Sequence, residues 1–165
     1  MKKVVIFTAL VAAMVSGCTL TATAQDNPDK LTFDNYGFEI VPFDIKTDEQ
    51  VVAVQFFLPV NSGFAANVNV LIQPYAVSMD DYVAQTEAGL KQIGCRILSQ
   101  SLENGCLTLQ YAGTMSGHDM HFYARAFKRG DKYYLATATG LESRWETEKT
   151  QLMQVVDSFA LTEKK

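Results

Sequence analysis

The 165-residue sequence predicts an α+β fold: an antiparallel β-sheet of about six to seven strands, flanked by two main helices in an α/β/α sandwich. Short apolar or alternating runs are separated by Gly, Asn and Pro turns, the pattern of strands in an antiparallel sheet. Two longer segments, 78–93 and 142–158, space their apolar residues for one face of a helix instead. The resulting order is three strands, a helix, four strands and a helix. Helices are thus segregated from strands rather than alternating with them, which separates α+β from α/β.

Ahead of these elements, Lys2-Lys3, an apolar run from Val4 to Val15 and the small residues Ser16-Gly17 lead to Cys18. Charge, short apolar stretch and small residues in that order make an export signal. The run is too short for a bilayer core of ~30 Å. Two cleavage readings fit. Val15-Ser16-Gly17-Cys18 resembles the bacterial lipobox, which makes residues 1–17 the signal peptide and Cys18 the lipid attachment. Ala22-Thr23-Ala24 fits ordinary cleavage after Ala24, which gives a soluble periplasmic or secreted protein. On the first reading, residues 18–30 are polar and unpatterned, a flexible tether. It holds a single domain, 31–165, on the periplasmic face of a membrane in the bacterial cell envelope.

Within that domain, Phe33–Val41 reads as an aromatic-rich first strand, with Pro42 after it. Val51–Leu58 is a nearly continuous apolar strand closed by Pro59, and Asn61-Ser62-Gly63 turns the chain. From Ala66 to Ile72, Val68, Val70 and Ile72 alternate with Asn67, Asn69 and Leu71, so one face is buried and the other mostly polar. Ser78 is placed as an N-cap, with Asp80 and Asp81 in the first turn. Met79, Val83, Thr86, Leu90 and Ile93 form the helical stripe, and Gly94 ends it. Asn104-Gly105, the favoured type I′ pair, joins strands 95–102 and 106–113. A two-residue loop pairs Glu103 with Cys106, Leu102 with Leu107, Gln100 with Leu109 and Leu98 with Tyr111. After a turn at Gly117-His118-Asp119, Met120–Lys128 and Tyr133–Thr139 are strands around Arg129–Lys132. The last helix carries Trp145, Leu152, Val155, Val156 and Phe159 on its apolar stripe.

Residues 25–165 keep twelve basic against eighteen acidic side chains, a net charge of −6. An acidic domain without a basic patch excludes nucleic acid as a partner, and it does not bind anionic lipid by charge. In the hairpin register, Cys95 and Cys106 sit about 27 Å apart along the ladder, so two free thiols are expected.

The candidate chemistry is sparse. His118, Asp119 and His121 bring two imidazoles and a carboxylate into four residues, which would suit a cation if the turn curled His118 back. In a straight strand the two histidines face opposite ways. No elbow for a nucleophilic serine, no C-x-x-C pair and no phosphate loop occurs. A binding surface is expected where Asn67 and Asn69 on the polar strand face combine with Tyr123, Arg125 and Phe127, since aromatics beside Arg favour interfaces. The opposing expectation is that the last helix covers them.

Several phrases in order resemble the PsbP-like family, which includes DcrB-type bacterial envelope proteins. They are Tyr36-Gly37-Phe38-Glu39-Ile40, Asn67-Val68-Asn69-Val70 with Gln73-Pro74, Lys132–Thr139, and a closing helix into Val156-Asp157-Ser158-Phe159. The resemblance covers roughly residues 33 to 161. It implies an antiparallel sheet sandwiched by helices, adaptor-like binding rather than catalysis, no cofactor and no catalytic set. The expected function is therefore a non-enzymatic exported envelope lipoprotein that binds an unidentified envelope protein or helps assemble a complex. The alternative is a small-ligand or metal-binding periplasmic module.

Overall fold

The computed structural model describes residues 31–33, 37–40, 51–61 and 63–162. The export signal, Cys18 and the tether lie outside the described residues. The chain divides into two compact units, 1–46 and 47–165. In the first, β1 (Leu31–Phe33) pairs antiparallel with β2 (Phe38–Ile40), Leu31 opposite Ile40. The single aromatic strand expected over 33–41 is therefore a short hairpin. Gly37, at φ +69°, takes a left-handed conformation that L side chains avoid, and it reverses the chain there.

The second unit contains β3 (Val51–Phe57), β4 (Asn67–Pro74), α1 (Met79–Gln92), β5 (Arg96–Glu103), β6 (Cys106–Met115), β7 (His118–Arg129), β8 (Lys132–Leu141) and α2 (Glu142–Asp157). The six strands form one antiparallel sheet in the order β3-β4-β8-β7-β6-β5. Two helices on such a sheet make the fold α+β, as the element order predicts.

The turn chemistry fixes the register. Asn104 and Gly105 both have positive φ, 51° and 73°, the signature of a type I′ turn. Glu103 then faces Cys106, Leu102 faces Leu107 and Gln100 faces Leu109, as expected. Beyond them a bulge between Ile97 and Ser99 moves the pairing by one, so Ile97 rather than Leu98 faces Tyr111. Leu98 ends up 36% exposed. The bulge spares the core a misfit, because it keeps an apolar residue on the buried face after the shift.

Alternation along β8 sorts the two helix-bearing faces. Tyr133 packs with Leu107, Ala126 and Tyr82 of α1, whose ring stacks on Tyr133 with centroids 3.9 Å apart. Ala136 and Ala138 lie on the other face, with Val68, Tyr123 and the α2 residues Trp145, Leu152 and Val156. Both alanines are fully buried, so the small side chains let α2 approach the sheet closely. Gly140 serves the same end, since a Cβ there would lie 3.4 Å from the Trp145 ring.

Both helices begin and end close to the expected positions. The Ser78 hydroxyl accepts a 3.1 Å hydrogen bond from the Asp81 N–H, capping α1. Tyr82, absent from the expected stripe, is buried beside Leu90, whereas Ile93 is exposed. On α2, Trp145, Leu152 and Val156 are buried, but Val155 points to solvent. Cys95 and Cys106 are buried free thiols, as the register expectation requires.

Candidate functional site

Three places concentrate side chains of chemical interest: the start of β7, the α2-facing side of β7, and the β3 edge.

At the first, the chain turns one residue earlier than expected, at Ser116 and Gly117, which have φ of 52° and 81°. His118 and Asp119 therefore already belong to β7. Three positions apart in an extended strand, His118 and His121 take opposite faces. His118 is exposed, and Asp119 accepts a 2.7 Å bond from the Thr114 hydroxyl. His121 is 5% exposed. The expected cation trio of His118, Asp119 and His121 thus does not converge. Among the described residues no three His, Cys, Asp or Glu side chains gather around a common point.

His121, itself buried, instead closes a network that reaches the surface at Glu142. Its Nδ1 lies 2.6 Å from Glu142 Oε2 and its Nε2 lies 2.7 Å from the Gln110 side-chain nitrogen, while the ring stacks on Trp145 at 4.1 Å. The Gln110 amide donates, so Nε2 accepts and the proton sits on Nδ1, where it is donated to the carboxylate. A carboxylate orienting an imidazole is also the arrangement of acid–base pairs. Here the second ring nitrogen meets an amide rather than a hydroxyl or thiol, and the ring is shut from solvent. The network fastens the first turn of α2 to β6 and β7. Trp145 Nε1 is a buried donor without a partner among the described residues.

The second place holds three of the expected binding residues. Tyr123 donates a 2.8 Å hydrogen bond to Asp157 Oδ1, and Arg125 reaches the Asp157 carbonyl at 3.1 Å and its carboxylate at 3.6 Å. Arg125 also lies over the Phe127 ring at 5.0 Å, and Phe127 packs against Phe159 at 5.6 Å. Burial, then the hydrogen bond to Asp157 and its negative charge, push the Tyr123 phenol up to about 12, against the opposing pull of Arg125. These three side chains grip the C-terminal end of α2. Asn67 and Asn69 sit on the opposite face of the sheet, where Asn67 accepts from Gln55 at 3.2 Å and donates to the Ala65 carbonyl at 3.3 Å. The five residues expected to share a surface are therefore divided by the sheet itself, because β4 and β7 present these positions with opposite parity.

The third place was not singled out from the sequence. Phe56, Phe57, Leu58 and Val68 line a groove of about 330 Å³ with Gln151, Leu152 and Val155 of α2. Phe56 is 47% exposed, Phe57 62% and Val60 72%. An uncovered apolar cluster of this kind marks an interaction surface more often than a chance of packing. A sequence signal for it exists: the thirty residues Gln50–Met79 contain no charged side chain, in a chain that is 19% charged.

No family model and no curated protein matches the chain. Among solved structures, the chain is similar to PA94 from Pseudomonas aeruginosa, a protein of unknown function proposed as a regulator. The TM-score is 0.59 and the identity 16%, over 82% of this chain and 98% of that one. It is also similar to the solution structure of the cyanobacterial PsbP protein CyanoP from Synechocystis sp. PCC 6803, with a TM-score of 0.45 and 14% identity over 72% and 96% of the two chains. At these identities the likeness to PA94 concerns the fold alone. Among the described residues no helix is long and apolar enough to cross a membrane.

Proposed function

We propose that this chain is a non-enzymatic, PsbP-like envelope lipoprotein, exported and anchored through Cys18, that binds another protein or helps assemble a complex. The observation that carries this reading is where the unsatisfied surface lies. Buried His121 and Tyr123 and half-buried Arg125 are engaged by Gln110 and by Glu142 and Asp157 of α2, while the β3 edge leaves Phe56, Phe57 and Val60 in solvent. Adaptors need such a surface; an enzyme needs an open cluster of acid, base or nucleophile groups. The export signal and the resemblance to DcrB-type envelope proteins support the location.

The reading is tested by intact-mass and labelled-palmitate analysis of the chain expressed in a bacterial host, beside Cys18→Ala. A mature N-terminus at Cys18 carrying lipid, abolished by the substitution, supports the anchor. A mature N-terminus at Gln25 without lipid sinks it. A small-ligand module is the second reading, favoured by the groove of about 330 Å³, which is at the lower limit of ordinary ligand sites. Saturable binding of a small apolar probe, lost in Leu152→Gln but not in His121→Ala, would favour it over the adaptor.

A further inference from the structure

The uncharged stretch includes β3, Val51–Phe57, and β4, Asn67–Pro74, which form one margin of the six-stranded sheet. Among the described residues β3 bonds only to β4, so its outer edge offers a row of backbone N–H and C=O groups. Both margins carry a bulge, between Val52 and Val54 in β3 and at Leu98 in β5, but β5 also carries Arg96 and Glu103, and charge is a device by which proteins blunt an open edge. β3 contains no charge and shows its largest side chains to solvent.

We propose that β3 pairs edge to edge with β3 of a second copy of this chain, antiparallel about a twofold axis, joining two six-stranded sheets into one.

Three features select a second copy. A lipid surface could cover the apolar side chains but would leave the edge's backbone groups unpaired, at several kcal/mol each. A strand satisfies both. Charge narrows the choice further. Two copies of a chain with net charge −4 repel, and the charge-free margin is where they meet without opposing like charges. Finally, the strand complements itself. A register centred on Gln55 sets Phe56 opposite Val54 of the second copy in both halves of the interface. Phe56 and Val54 share the α2-facing side, since they pair with Val68 and Val70 of β4. Aromatic against β-branched is a favourable cross-strand pair, and like amides meet at the axis. An isologous contact of this kind closes at two copies and exposes no further edge of the same type.

This inference goes beyond the adaptor reading and holds with or without the Cys18 anchor. Its test uses the full chain in native membranes or cell extract. In Gln55→Cys the two new thiols face each other across the axis, within disulfide reach. Copper phenanthroline is expected to oxidise them to a disulfide-linked dimer visible on a non-reducing gel. Wild-type chain, whose Cys95 and Cys106 are buried, is the background. Adding Phe57→Lys should abolish the dimer band, and Leu102→Cys on β5 should give none. The far-UV circular dichroism of Phe57→Lys should match wild type, because Phe57 is 62% exposed. No dimer above background from Gln55→Cys, or cross-linking through Leu102→Cys instead, overturns the proposal. So does a monomeric chain whose pelleting with neutral phosphatidylcholine vesicles depends on Phe57, which would make a lipid surface the occupant.

Discussion

Glu142 is the first residue of α2, and its carboxylate holds the His121 ring in one tautomer while Gln110 holds the other side. Removing it leaves a buried N–H without an acceptor. A hydrogen bond to a charged group contributes about 1.5–3 kcal/mol, less where one partner is wetted, and the Glu142 side chain is 45% exposed. Glu142→Ala should therefore lower stability by roughly 1 kcal/mol in urea unfolding, and Glu142→Gln, which keeps an acceptor, by less. Tyr123 makes a second residue-scale prediction. Its phenol ionises at about 12 in the folded chain against an ordinary value of 10.0. The raised value means that the folded state prefers the neutral phenol. That contribution is complete below pH 10 and is lost as pH rises from about 10 to 12. Tyr82, Tyr111 and Tyr133 are shifted in the same direction by burial and add to the trend. Thermal melts between pH 9 and 12 should show falling stability, with a shallower fall in Tyr123→Phe; an unchanged slope in that variant would contradict the role given to Tyr123.

At the level of elements, hairpin register and helix capping were legible because each rests on two or three local residues. Asn104-Gly105 dictates its own turn, and Ser78 with Asp81 caps α1 through a bond the sequence spells out. What was not legible depends on partners distant in sequence. Tyr82 enters the core because Tyr133, fifty-one positions on, offers a ring to stack on. The β3 strand reads as a nearly continuous apolar strand from its composition, but its place at the margin follows from β4 pairing with β8 on its far side. Asn67 and Tyr123 look combinable until the sheet order assigns them opposite faces. The bulge at Leu98 has a steric counterpart at Gly113, whose added Cβ would lie 2.5 Å from the Cys95 sulfur and 3.1 Å from its Cα. Gly113→Ala should cost about 1–3 kcal/mol, the usual range for an overpacked site. Adding Cys95→Ala removes the closest atom and should recover part of that loss in the double variant. Full additivity of the two losses would place the strain elsewhere.

For the whole molecule, the free thiols show what holds the fold together. Cys106 begins β6 opposite Glu103, while Cys95 precedes β5 beside Gly113, seven positions further along β6. At ~3.4 Å per residue the two sulfurs belong to opposite ends of the hairpin, far outside the Cα separation of about 4.4–6.8 Å that a disulfide requires. Both sit in the interior instead, and burial pushes the Cys95 thiol above its ordinary value, so it is a poor nucleophile in the folded state. Stability then comes from the two packed faces of the sheet, Tyr82 on Tyr133 on one side and Trp145, Leu152 and Val156 on the other, with no covalent closure. Reductant should accordingly leave the melting temperature unchanged, even if export places the chain in an oxidising compartment. Thiol titration of the chain bearing Cys18→Ala should find both groups slow to react when native and two equivalents after unfolding without reductant. Fewer than two in the unfolded, unreduced chain would mean that these cysteines pair, which the observed register of β5 on β6 forbids within one molecule.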